Sequence, residues 1–181
     1  GYGFIATCIW ASSVQYAFGI TTEASLREDP ITAWRNQKTI DLRDNPTYVI
    51  LDIGCTRAMG SRPALMKLAA VGVYYGLEFE ILPSDAKFSF ANSQTSKVYE
   101  KLRVWFPTTP PCWTDFDILE QGNVPILMSI KQMRNLRFTL EMNPDVCYLT
   151  CEAFGFHRKA LDVSTSEHLV LDITKIRKDP G

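Results

Sequence analysis

The chain has 181 residues, 46% of them hydrophobic and 22% charged, with a formal net charge of −1. That length fits one domain with a real core plus a small extra segment, and the near-neutral charge argues against nucleic acid or an anionic membrane as the main partner. Five cysteines make an odd number without tight spacing, which argues against a secreted disulfide framework and points to a reduced intracellular, cytoplasmic setting.

A start on Gly1 rather than methionine leads us to expect a piece of something longer. Residues Phe4 to Ile20 are fairly apolar, but Gln15 and two serines interrupt them and no basic stretch precedes them, so neither a signal peptide nor a membrane span is expected. Thr21-Thr22-Glu23 can cap a short helix through Arg27, which Asp29-Pro30 would stop, and Trp34 is a candidate anchor to the core. Residues 1–40 read as a leader or linker.

The texture changes after Thr39. Asp44-Asn45-Pro46 is a turn cluster, and the unbroken apolar run Tyr48-Val49-Ile50-Leu51 predicts a strand buried on both faces. The run ends on Asp52, with Gly54 and the small residues Cys55 and Thr56 close behind. Such a strand delivers a carboxylate into or beside the core, where it needs hydrogen bonds or a partner; the plainer alternative is an aspartate that caps its own turn. Ser61-Arg62-Pro63 then opens a helix with Leu65, Leu68 and Ala69 on one face, and Gly72 is the expected stop.

Leu77 to Ile81 alternates strictly, Lys87 to Phe90 repeats the pattern, and Val98, Leu102, Val104 and Phe106 share a face after a short polar stretch. This predicts a hairpin with a polar tip, either a plain surface hairpin or a mobile flap over a cleft. Phe116 and Ile118 start another strand, and Val124 to Met128 is a second near-continuous apolar one with Pro125 at its start. Ser129 can cap a short helix carrying Ile130, Met133 and Leu136; Phe138 to Met142, Cys147 to Cys151 and His168 to Ile173 complete the strands. Seven or eight short strands with two short helices predict a mostly-β fold with a closed or sandwiched sheet.

Four other constellations carry weaker chemistry. Cys147, Cys151 and His157 have a spacing a metal could use, but only distant Cys112 or His168 could complete four ligands, so the two cysteines read as small hydrophobes and no metal is expected. A nucleophilic pair of Cys55 with His168 has no local support. The aromatics Trp105-Phe106 and Trp113 with Phe116 read as core, because few basic residues interleave with them, and Lys131, Arg134 and Arg137 as the solvated face of the short helix.

In this order, the stretches Ile50-Leu51-Asp52-Ile53-Gly54-Cys55-Thr56, Phe88-Ser89-Phe90-Ala91-Asn92-Ser93, Asn123-Val124-Pro125-Ile126-Leu127-Met128-Ser129 and Met133-Arg134-Asn135-Leu136 resemble the retroviral-type, retropepsin-like aspartic protease domain of a retrotransposon polyprotein. The stretch Ser164-Thr165-Ser166-Glu167-His168-Leu169-Val170-Leu171-Asp172 is similar to the end of such domains. The resemblance spans roughly residues 40–173 and implies a protease domain over 41–174 with a polar tail over 175–181. It further implies a closed acid-protease barrel, a homodimer, a polypeptide substrate, and neither cofactor, nucleic acid nor membrane. Carried onto this chain, Asp52 is the catalytic residue, Ile53, Gly54, Cys55 and Thr56 form the active-site turn, and Phe90, Ala91, Asn92, Ser93, Gln94 and Thr95 form the flap. Val170-Leu171-Asp172-Ile173-Thr174 echoes the Asp52 stretch without its glycine, so Asp172 reads as the end of a closing strand. Two departures from the pattern stand out. Ile53 replaces a threonine or serine whose hydroxyl braces both aspartates across the dimer axis, and Leu127-Met128-Ser129 lacks the glycine that ends this strand in many relatives. A catalytically degenerate domain that serves as a structural or dimerisation module is therefore the alternative reading.

Overall fold

The computed structural model describes residues 37–84, 87–89 and 95–176. Residues 1–36 of the expected leader with Trp34, the expected flap residues Phe90, Ala91, Asn92, Ser93 and Gln94, and the last part of the tail lie outside them.

The apolar run that draws attention in the sequence forms strand β2 (Tyr48–Asp52), and its pattern is obeyed on both faces. Val49 and Leu51 point into one hydrophobic cluster and Ile50 into another. Full burial of each such side chain contributes roughly 1.5–3 kcal/mol, and two buried faces demand a neighbour on each edge as well. Those neighbours are β14 (Leu169–Asp172), antiparallel, and β9 (Leu127–Ser129), parallel.

Around this centre a nine-stranded sheet is built. On the β14 side follow β13 (Asp162–Ser164) and β1 (Thr39–Ile40). On the β9 side follow β3 (Met59–Ser61), β8 (Cys112–Leu119), β7 (Glu100–Phe106) and β4 (Glu78–Pro83). A short pair, β5 (Lys87–Ser89) with β6 (Thr95–Lys97), extends the β4–β7 hairpin, so a hairpin stands where the sequence predicts one. A separate three-stranded sheet holds β10 (Thr139–Met142), β11 (Cys147–Cys151) and β12 (Phe156–Ala160). Two helices, α1 (Arg62–Gly72) and α2 (Ile130–Asn135), complete the described residues.

The mostly-β expectation holds, but the closed sheet does not form among the described residues. β1 and β4 end the hydrogen-bonded order without joining, so the nine-stranded sheet is open. The sequence also under-counts strands. β3 is three residues of Met-Gly-Ser and carries no alternation, while β12 is polar along most of its length because only one edge is paired. Thr39 and Ile40, at the end of the expected leader, pair with β13, and Ile176 in the expected tail is buried in the core. No helix among the described residues is long and apolar enough to cross a membrane.

Gly72 does not stop α1 in the way expected. Its backbone is right-handed helical, and the chain runs on through the 3₁₀ turn Val73–Tyr75 to Gly76, whose φ of 91° ends it. What Gly72 supplies is space, since a Cβ there would lie 2.7 Å from Cζ of Phe79. Gly72→Ala is expected to destabilise the fold by about 1–3 kcal/mol through overpacking. An unchanged urea midpoint would show that Phe79 yields freely.

Strand alternation also corrects the aromatic reading. Phe106 and Phe116 are core, but Trp105 and Trp113 are register partners turned outward, with ring centroids 6.2 Å apart. Trp113 is 46% exposed, and the Arg103 guanidinium lies 3.7 Å from its ring centre. Lys131, Arg134 and Arg137 are exposed as expected.

Candidate active site

β2 hands the chain to a turn over residues 53–56 that closes on its own aspartate. Asp52 is 0% exposed. The Gly54 N–H donates to Oδ1 at 3.0 Å, and the Cys55 thiol donates to Oδ2 at 3.3 Å. The Cys55 N–H donates to the Asp52 carbonyl at 3.2 Å and tightens the same turn. Both carboxylate oxygens are therefore oriented by donors only two and three residues along the chain. In surroundings of low dielectric such bonds are stronger than in water.

The turn is anchored from behind. The Ile130 N–H, at the start of α2, donates to the Cys55 carbonyl at 3.2 Å, and the Ile50 N–H donates to the Ile126 carbonyl at 2.8 Å. The β2–β9 register sets Ile50 beside Leu127, Leu51 beside Met128 and Asp52 beside Ser129. Leu51 and Met128 belong to the larger cluster, whereas Ile50 and Leu127 belong to the smaller one. By strand alternation Asp52 and Ser129 share the face of Ile50 and Leu127. Cys55 packs in that smaller cluster too.

The remaining turn residues divide sharply. Gly54 and Thr56 are exposed, and Ile53 is 59% exposed although it directly follows a fully buried aspartate. Of the expected flap, only Thr95 falls within the described backbone, in β6.

Beside the turn lies a pocket of about 420 Å³, lined among others by Thr56, Arg57, Thr114, Asp117 and Gln132; Asp52 is not part of its wall. Asp117 is buried and accepts from Arg57 Nε at 2.7 Å and from Ser84 Oγ at 3.0 Å. Burial pushes the neighbouring Asp115 carboxyl up, but hydrogen bonds from Arg103 and Lys101 outweigh it and hold the carboxyl below its usual range. The residues in these pairings are far apart in the sequence, and no periodicity or motif signals them. Only the β7–β8 and β3–β8 pairings bring them together.

The other candidates separate in space. Cys147 and Cys151 are buried core residues, whereas His157 is exposed. Burial and then the charge of Glu141 push the Cys147 thiol up to about 11, far from the thiolate a metal would need. Among the described residues no group of three or more His, Cys, Asp and Glu side chains is placed to hold a metal ion. His168 contacts Ser164 Oγ through Nδ1 at 3.4 Å, and Asp172 ends β14 while accepting from the Thr174 N–H at 3.0 Å. That is the strand-end role expected of Asp172.

No family model, curated protein or solved structure matches the chain.

Proposed function

We propose that the chain is a retropepsin-like aspartic endopeptidase of a retroelement polyprotein, working as a homodimer on polypeptide substrates. The observation that carries this reading is the Asp52 turn. It is a carboxylate at the end of the central strand, between a parallel and an antiparallel neighbour, with each oxygen held by a donor from the residues that follow.

Each chain contributes one such carboxylate, and hydrolysis by this chemistry needs two. Two carboxyl groups about 3 Å apart share a proton because both cannot readily ionise. The ionised one draws a proton from water while the protonated one polarises the scissile carbonyl, and their titration belongs to the pair. A second copy would supply the partner carboxylate. Ile53 favours that assembly, since it is an apolar side chain 59% exposed at the turn, and covering what is exposed would contribute about 1–2 kcal/mol per copy. The β5–β6 hairpin would close over the peptide and exclude water. The closed barrel belongs to the same reading. Asp52 has no accessible surface in the single chain, so the working form has to open this turn to substrate as it assembles.

A second reading is a related domain that dimerises without cleaving. It is favoured by that same burial of Asp52 and by Ile53, which offers no hydroxyl to brace two aspartates. Losing such a buried contact costs about 1–3 kcal/mol per subunit.

Sedimentation and peptide cleavage test both readings. The protein is expected to sediment as a dimer and to cleave an unfolded polypeptide at mildly acidic pH. A strict monomer removes the peptidase reading, because it cannot assemble two aspartates. Ile53→Thr separates the two readings: cleavage already present and little changed supports the enzyme, whereas cleavage appearing from a dead start supports the degenerate domain.

A further inference from the structure

Ser129 closes strand β9 and is the N-cap residue of α2. Serines in that position ordinarily accept a hydrogen bond from the first turn of the helix. Here the side chain makes no capping bond, and the N–H of Ile130, the first residue of the helix, donates to the Cys55 carbonyl. Ser129 is 0% exposed, and its Oγ has no hydrogen-bond partner. A buried hydroxyl left in this way destabilises a fold, so its presence calls for a reason.

The register supplies one. Ser129 is the Cα partner of Asp52 in the parallel β2–β9 ladder, and both side chains lie on the face that carries Ile50, Leu127 and Cys55. Neighbouring strands run about 4.7–4.9 Å apart, and a staggered step about χ1 re-aims a serine oxygen without moving the backbone. An ionised carboxylate accepts up to about four hydrogen bonds, so a hydroxyl from β9 need not displace the Gly54 or Cys55 donors. The Ile53 side chain offers no donor of its own.

We propose that Ser129 is a positioning residue for Asp52, its hydroxyl donating to the carboxylate from the neighbouring strand when the site is at work. The Gly54 and Cys55 donors come from the carboxylate's own turn, whereas a Ser129 donor comes from a different strand. Such a donor ties the orientation of Asp52 to β9 and α2. The inference rests on the peptidase reading for its kinetic consequence alone, because the contact between the two side chains can be read without cleavage.

The experiment is a double-mutant cycle on the full chain. Urea unfolding is followed for the wild type, Ser129→Ala, Asp52→Asn and the double variant. Contact between the side chains is expected to make the effect of Ser129→Ala on the folding equilibrium constant differ by about tenfold between the Asp52 and Asp52→Asn backgrounds. Equal effects in both backgrounds overturn the proposal. In peptide cleavage, Ser129→Ala is expected to lower kcat about tenfold or more with KM unchanged, and Ser129→Thr, which keeps the hydroxyl, to recover it. An unchanged kcat in Ser129→Ala also overturns the proposal. Coupling without cleavage in any variant supports the contact and removes the peptidase reading; cleavage with additive effects removes the positioning role alone.

Discussion

Asp52→Asn is expected to reduce peptide cleavage at mildly acidic pH by about 10³-fold or more, through kcat rather than KM. The replacement keeps the shape of the side chain and an oxygen that can accept from the Gly54 N–H, which now meets Oδ1 at 3.0 Å. On the proposed mechanism, it removes the group that would take the proton from water. In a homodimer both carboxylates vanish together, so neither activation of water nor polarisation of the carbonyl survives. Circular dichroism on the variant establishes that the fold persists. Cleavage persisting in a folded variant would take Asp52 out of the mechanism and the endopeptidase reading with it.

The largest expected effect on stability lies away from that turn. Phe154 sits in the turn between β11 and β12, yet it is 0% exposed. Its ring lies 4.8 Å from Phe106 on β7 and 5.9 Å from both Phe138 and Phe156, measured between centroids. The tilted and edge-on geometries are those that aromatic quadrupoles favour. Phe154 thus pins the three-stranded sheet to the core beneath the nine-stranded one. Phe154→Ala leaves a cavity among Phe106, Phe138 and Phe156 and is expected to cost about 3–5 kcal/mol. That is a large part of the roughly 5–15 kcal/mol by which a domain is ordinarily stable. Urea unfolding measures it, and hydrogen exchange in β10, β11 and β12 is expected to accelerate first. A loss below about 1 kcal/mol would mean that the sheets are joined elsewhere.

The two effects differ in how far they could be anticipated. Asp52 is visible because an apolar run stops on a charge and a glycine follows, all within a few residues. Phe154 is not visible, because it stands between two glutamate- and glycine-bearing turn positions and its partners are distant in the chain. The outward tryptophans lie between these cases. Counting alternation along β7 places Trp105 opposite Phe106, but the Arg103 stacked on Trp113 comes from the neighbouring strand. The open edge of the sheet was equally hidden, since sequence patterns mark strands but not which strands meet.

By itself the sequence determined the elements with strong local signals: the two-faced burial of β2, the helices that follow Ser61 and Ser129, the hairpin from β4 to β7, and the placing of Asp52 at a strand end. Burial periodicity and turn chemistry act over a few residues, so they can be read in one dimension. Only the tertiary structure decided that the Gly54 and Cys55 donors hold Asp52, that Ile53 protrudes while its neighbour is buried, and that Ser129 stands beside Asp52 without a capping bond. Register and side-chain direction settle those points. They depend on how strands far apart in the chain pair, which local propensity does not encode.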